Sequence, residues 1–187
     1  MRWEYFPLAL CHWKLMCLER VKMAKVFVDT ECLLGFYNEL VVKELALATM
    51  EGVVQSWIFE PPCDSQDLSR RTRRQNRWTT SHLHKIRWNH GHVSYHKLEK
   101  ILSDSVPKSA TVFVKGEEKK RLLQEILFWR KDVIIIDLFD LGCPKAEDIV
   151  GIPKIKCAHK HEQRCALFKC LKFMNWYKCS QDNRQWL

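Results

Sequence analysis

Two acidic residues directly follow a short apolar run near the start of the chain. Asp29 and Glu31 are separated by one residue and come after Lys25-Val-Phe-Val. In an extended strand, residues two apart point to the same face, so both carboxylates are expected at the C-terminal end of that strand. Clustered carboxylate oxygens are the ligands that Mg²⁺ and Mn²⁺ prefer. Because two such ions about 4 Å apart can drive phosphodiester cleavage, the pair is a candidate metal and catalytic site.

A basic segment that ends in an aromatic residue lies in the middle of the chain. Its candidate contact residues are Arg70, Arg71, Arg73, Arg74, Arg77 and Trp78. Guanidinium groups pair with phosphates, and an indole ring can stack on an unpaired base. The segment therefore predicts contact with single-stranded nucleic acid. A solvated basic loop and a nuclear localisation signal are the alternative interpretations.

A group of cysteines and histidines towards the C-terminus could bind zinc. The candidate zinc ligands are Cys143, Cys157, His161 and Cys165. Thiolate and imidazole are the usual ligands of Zn²⁺ in proteins. However, the spacing matches no standard zinc finger, and reduced cysteines are often simply buried. Zn²⁺ binding and burial in the core both remain open on the sequence.

Five further histidines lie between residues 82 and 96. They are His82, His84, His90, His92 and His96. One of them could act as a general base near neutral pH, or all could be ordinary surface and half-buried residues. The chain contains no serine-hydrolase elbow, phosphate-binding glycine loop or dinucleotide fingerprint, which argues against hydrolases of that type, kinases and oxidoreductases.

Alternating strand and helix patterns must position these residues. Strands are predicted at residues 25–29, 40–49, 53–59, 110–114 and 132–137, and helices at 95–102, 117–129 and 163–178. A turn signal at Glu51-Gly52 predicts a β-hairpin. Residues 25–60 should then form adjacent strands with both acids on one side, and residues 68–91 a loop with a short helix. Antiparallel strands followed by alternating helix and strand predict an α/β domain with a mixed sheet.

Composition and charge narrow the functional classes further. The 187 residues carry a net charge of +9. Residues 61–100 hold nine Lys or Arg and three acids, a net +6, whereas residues 23–60 hold two and six, a net −4. A basic surface beside an acidic segment suits a polyanion and a metal site, although solvated surface charge explains the imbalance equally well.

The nine cysteines are scattered and odd in number. With no signal-peptide pattern and no run of about 18 apolar residues, they predict reduced thiols in an intracellular protein, cytoplasmic or nuclear, without a membrane partner. Residues 1–22 are interpreted as an N-terminal extension, 23–179 as the domain and 180–187 as a polar tail.

The opening of the domain resembles the DEDD-type (DnaQ-like) 3′–5′ exonucleases of the ribonuclease-H-like superfamily. The resemblance rests on Asp29-Thr-Glu31, on Lys43-Glu-Leu-Ala46 before the glycine turn, and on Trp57-Ile-Phe-Glu-Pro-Pro62. The order of the later elements is also similar. The resemblance implies a ribonuclease-H-like mixed sheet flanked by helices, with Mg²⁺ or Mn²⁺ held first by Asp29 and Glu31.

Two later motifs depart from the pattern of that family. Its second motif has an aspartate where Lys119 or Lys120 falls here, and its third pairs a histidine with an aspartate where Arg164 and Lys169 fall. Cationic side chains repel Mg²⁺ and cannot ligate it. Other residues that could take over the ligand role are Glu117, Glu118, Asp137, Asp140 and His161.

Three functions therefore fit the sequence. The first is a nucleic-acid-binding domain that resembles 3′–5′ exonucleases but has a degenerate metal site. The second is an active metal-dependent 3′–5′ exonuclease on single-stranded DNA or RNA. The third is a protein-interaction domain on the same scaffold, using its tryptophan-rich surface.

Overall fold

A five-stranded mixed sheet forms the centre of the structure, a computed structural model that describes residues 23–151 and 165–184. Its strands are β1 (Ala24–Leu34), β2 (Leu40–Thr49), β3 (Val54–Ile58), β4 (Ala110–Val114) and β5 (Ile134–Asp137), in the order β3-β2-β1-β4-β5. β1, β2 and β3 are antiparallel neighbours, whereas β1, β4 and β5 are parallel. The prediction that residues 25–60 form adjacent strands is confirmed.

Helices cover both faces of this sheet. They are α1 (Arg70–Thr79), α2 (Leu98–Ser105), α3 (Glu117–Ile126) and α4 (Ala166–Arg184). Val26 and Val28 of β1 pack in one core cluster with residues of α2 and α3, such as Leu102 and Leu123. Phe27, between those two valines, packs on the opposite face with Phe173 of α4, as strand alternation requires. The predicted fold class, an α/β domain with a mixed sheet flanked by helices, is confirmed.

Small residues of β2 bring α4 close to the sheet. Ala46 and Ala48 are buried against Ala166 and Cys170 of α4. The Cys170 thiol donates to the carbonyl oxygen of Ala46 at 3.3 Å. Because alanine leaves room for the helix, the first turns of α4 lie directly over β1 and β2. None of the described helices has the length and apolar character that crossing a membrane requires.

Several predicted boundaries were wrong. β1 does not end before the acidic pair, because its pairing with β2 continues to Leu34 opposite Leu40, with a register shift after Glu31. Asp29 and Glu31 therefore lie within the strand. The basic segment forms the ten-residue α1 and a π-helical turn over Thr80–His84. α4 continues to Arg184, into the expected polar tail, since no glycine or proline interrupts it.

Candidate functional site

The two acids of β1 lie side by side and face two lysines. Asp29 and Glu31 are buried, with 1% and 8% of their surface exposed. The ammonium group of Lys119 donates to Asp29 Oδ1 at 2.5 Å. Lys169 donates to Glu31 Oε1, and its Nζ also lies 3.9 Å from Asp29 Oδ2. The predicted placement of both acids on one side of β1 is consistent with these shared contacts.

Each lysine is positioned by the start of a helix. Lys119 lies in the first turn of α3, which follows Gly116 directly. Gly116 has a φ of 107°, in the left-handed region that favours glycine, and its N–H donates to Asp137 Oδ1 at 3.0 Å. Lys169 lies in the first turn of α4. The sheet and both helices must therefore be in place before the four charges meet.

The electrostatics of the cluster keep it close to neutral. Burial raises the pKa of Glu31, and the positive charges of Lys119 and Lys169 oppose that rise. Burial alone would lower the pKa of Lys119, but Asp29 and Glu31 more than offset this and raise it. The Lys119 ammonium is therefore charged at neutral pH. Two positive side chains face two acidic ones in a largely buried position.

A third buried acid in this region, Glu44, was not among the predicted site residues. It lies directly opposite Glu31 in the pairing of β1 with β2. Glu44 Oε2 accepts the backbone N–H of Ala166 at 3.0 Å, and Oε1 accepts the Cys165 thiol at 3.3 Å. Burial raises the pKa of Glu44 to about 7, although these two hydrogen bonds oppose the shift. The available sequence signal was an acid, next to Lys43, within a mainly apolar strand.

The acids that were considered as replacement ligands lie in other contacts. Both Glu117 and Asp140 face Lys120, at 4.0 and 3.9 Å. Asp137 accepts backbone N–H groups, and Glu118 is exposed. Among residues 23–151 and 165–184, no three His, Cys, Asp or Glu side chains form a group that could hold a metal ion. His161 and Arg164 lie outside the described residues.

The predicted zinc ligands are only partly described. Cys143 is buried in the core cluster of Phe27 and Phe173, whereas Cys165 donates to Glu44 at the start of α4. Cys157 and His161 lie outside the described residues. The zinc site therefore stays a prediction.

The arginines of α1 line a cavity. Arg70, Arg73, Arg74 and Arg77 lie at helical spacing on one face of α1, and Arg87 approaches from the segment that follows. The cavity has a volume of about 970 Å³. We refer to it as the arginine cavity, defined by these five residues.

Two of the predicted nucleic-acid contacts lie away from this cavity. Arg71 and Trp78 are exposed but are not among its lining residues. The Trp78 ring stacks on His82, with ring centroids 5.0 Å apart. These two residues lie on a different face of α1 from the four arginines that line the cavity. The faces of the helix could not be assigned from the sequence, because the residues at which α1 begins and ends were not known.

Polar contacts fix α1 and the following turn against β1. The side chain of Asn76 donates to the carbonyl oxygen of Leu34 at 2.7 Å and accepts the N–H of the same residue at 2.8 Å. His84 is buried, with Nε2 3.2 Å from the Cys32 carbonyl oxygen, and its Nδ1 accepts the N–H of Ile86. Burial is the main cause that lowers the pKa of His84 to about 4. The arginine cavity is thus attached to the same strand as the acidic pair.

Comparison with known proteins finds similarity to solved structures. No protein-family model matches the chain, and no curated protein matches it. A solved structure of the Mopeia virus exonuclease domain, partially complexed with manganese, is 21% identical, with a TM-score of 0.47 over 81% of this chain and 75% of that one. The same domain fully depleted of manganese is 20% identical, with a TM-score of 0.43 over 81% and 74%. At this level of similarity, function has to be argued from the residues of this chain.

Proposed function

We propose that this protein is a nucleic-acid-binding domain on a ribonuclease-H-like scaffold in which ion pairs replace the metal site. The observation that carries the proposal is the contact of Lys119 with Asp29 and of Lys169 with Glu31. Each carboxylate that would hold a divalent cation instead holds an ammonium group. The acids then stabilise the fold and take no part in cleavage.

The residues around the acidic pair do not fit a divalent cation. Two metal ions carry four positive charges and need several carboxylates to offset them. Asp29 and Glu31 face this position with Glu44 beside them, but Glu44 accepts hydrogen bonds from Ala166 and Cys165, and two lysine charges already offset those of Asp29 and Glu31. A cation entering this position would meet the ammonium groups at contact distance, where like charges repel strongly.

One observation favours the second candidate, an active metal-dependent exonuclease. Asp29 Oδ2 is buried and has no hydrogen-bond partner among the described residues. A buried acceptor of this kind can mark a ligand position. Against this, Lys169 Nζ lies 3.9 Å from the same oxygen and compensates its charge.

The choice of nucleic acid as the partner is supported by the arginine cavity. Five arginines line it, and none of them forms an ion pair within the part of the chain that the structure describes. Unpaired arginines recruit phosphates by charge and by bidentate hydrogen bonds. A protein-interaction domain would instead require a neutral cleft beside an apolar patch.

The test is a gel assay of labelled single-stranded DNA and RNA with Mg²⁺ and with Mn²⁺. Wild type should shift both strands and leave them intact, and Asp29→Asn, which removes charge but little volume, should behave in the same way. Metal-dependent digestion by wild type and not by Asp29→Asn would refute the replaced metal site. It would also establish the exonuclease alternative.

A further inference from the structure

The arginine cavity is a partly open cleft that combines exposed arginines with a few buried lining side chains. Its most buried lining side chains are Leu68, Asn76 and Trp88, with 3%, 6% and 8% of their surface exposed. The Trp88 ring is fixed by a hydrogen bond from Nε1 to the carbonyl oxygen of Cys63 at 3.0 Å. The cavity therefore offers apolar surface inside and guanidinium groups around it. A nucleotide has a matching arrangement, because the faces of its base are apolar and its phosphate is charged.

Within the described part of the chain, no acidic residue lines the cavity to balance its charge. Its other lining residues are Ser65, Thr80, Ser81 and Asn89, so no acid lies among them. Guanidinium groups carry a positive charge throughout the physiological pH range. Several positive charges that line one cavity favour the binding of an anion there. The complementary ligand carries more than one negative charge.

The size of the cavity limits the form of that ligand. A volume of about 970 Å³ lies at the upper end of the range for small-molecule pockets. It suits one or two nucleotides. In a duplex the base faces are stacked inside the helix and cannot reach Leu68 or Trp88, whereas an unpaired nucleotide can turn its base towards protein.

The cavity is separate from the acidic pair. Asp29, Glu31, Lys119 and Lys169 are all absent from its lining. It is built by α1, by Ser65 and Leu68 before it and by residues 80–81 and 87–89 after it. It contacts β1 beyond the acids, at Leu33, which packs with Leu68 and Trp88, and at Leu34, which is hydrogen-bonded to Asn76. A strand held by the arginines thus needs neither the acids nor a metal ion.

We propose that the arginine cavity binds one or two unpaired nucleotides of a single-stranded nucleic acid, and that this binding requires no divalent cation. Phosphates pair with the arginines of α1 and with Arg87, and a base lies against Leu68 and Trp88. This inference rests on the proposed function and assigns its binding surface. A free nucleotide offers the same chemistry as a strand, so the experiment separates these two sources.

The experiment measures fluorescence anisotropy of short labelled RNA and DNA strands, with EDTA and at several salt concentrations. Arg74→Gln removes a cavity arginine, and Arg71→Gln is its matched control, an exposed arginine of the same helix outside the cavity. Arg74→Gln should weaken binding roughly tenfold, as expected for a lost hydrogen-bonded charge pair. It should also reduce the slope of log K against log salt by about 0.7. Arg71→Gln should change affinity by less than about twofold, because a solvated charge outside the site is screened.

The outcomes separate the two proposals. Equal effects of Arg74→Gln and Arg71→Gln would overturn the cavity as the binding site while leaving nucleic-acid binding intact. No binding by wild type would overturn both. Equal competition by a duplex of the same sequence would rule out recognition of an unpaired base, and loss of binding in EDTA would rule out metal independence. Competition by adenosine monophosphate as effective as that of the strand would identify a free nucleotide as the ligand.

Discussion

At the scale of single residues, two adjacent lysines of α3 have different roles. Lys119 and Lys120 have similar side-chain exposures of 26% and 24%. Lys119 contacts the buried Asp29, whereas Lys120 faces the exposed acids Glu117 and Asp140. From the sequence, either lysine could stand in place of the aspartate of the second motif. Only the direction of each side chain from the helix, which depends on where α3 begins, distinguishes them.

Replacing Lys119 with methionine should destabilise the protein by about 2–4 kcal/mol, because the buried carboxylate of Asp29 then loses the nearer of its two charge partners. Lys120→Met, the matched control, should cost less than about 1 kcal/mol, as for a surface ion pair. The free energy of unfolding in urea measures both. In a double-mutant cycle, Lys119→Met should destabilise the Asp29→Asn background by at least about 1 kcal/mol less than it destabilises wild type. Additive effects of the two substitutions would contradict an interaction between Lys119 and Asp29.

The acidic pair was predictable from the sequence, but its surroundings were not. A two-residue spacing in a strand fixes which side chains share a face, and Asp29 and Glu31 follow that rule. Glu44 meets Glu31 only through the register of two strands, which a single sequence does not specify. Lys169 is distant from both acids in the sequence. It lies beside them because α4 packs on Ala46 and Ala48.

At the scale of elements, the side chain of Asn76 attaches α1 to the sheet by hydrogen bonds. Asn76 forms two hydrogen bonds with the backbone of Leu34 and is 6% exposed. Helical periodicity explains why some arginines of α1 line the cavity and Arg71 lies on the outer surface. The sequence predicts a loop with a short helix here, and the arginines of a loop would not be sorted onto two faces in this way. The length of α1 therefore determines which arginines converge.

Asn76→Ala should leave both polar groups of the Leu34 backbone without their partner and should destabilise the protein by about 1–3 kcal/mol. Gln75→Ala, an exposed neighbour on the same helix, should change stability by less than about 0.5 kcal/mol. Amide hydrogen exchange provides the measurement, since exchange in α1 should accelerate only in Asn76→Ala. Unchanged exchange and unchanged stability would show that other contacts hold the helix.

At the scale of the whole molecule, the segment after α1 joins the cavity to the sheet. Lys43 of β2 is fully buried and donates to the carbonyl oxygens of Phe59 and Trp88 at 2.6 and 2.7 Å. Burial lowers the pKa of Lys43 to about 8. A Cβ at Gly91 would lie 2.3 Å from the backbone of Phe59, so only glycine fits there. These contacts link sequence-distant segments, which local patterns in the sequence do not specify.

The stability of the whole domain should fall as the solution is acidified from pH 6.5 towards pH 4, in part because His84 is buried as a neutral side chain. Its pKa is lowered to about 4 in the folded protein and is about 6.5 in an unfolded chain. Between these values the unfolded chain binds the extra proton, so acid favours unfolding, by up to about 3 kcal/mol. Above pH 6.5 the contribution of His84 to stability is fully present.

His84→Gln should reduce this acid-dependent loss, because the substituted side chain has no proton to gain in that range. The lost hydrogen bonds should cost about 1 kcal/mol at pH 7. The difference in unfolding free energy between pH 7 and pH 4.5 should nevertheless narrow by about 2–3 kcal/mol. Urea titrations followed by circular dichroism at each pH measure this difference, and His96→Gln, a substitution at an exposed histidine, serves as the control. The same pH dependence in His84→Gln as in wild type would mean that other groups cause the acid sensitivity.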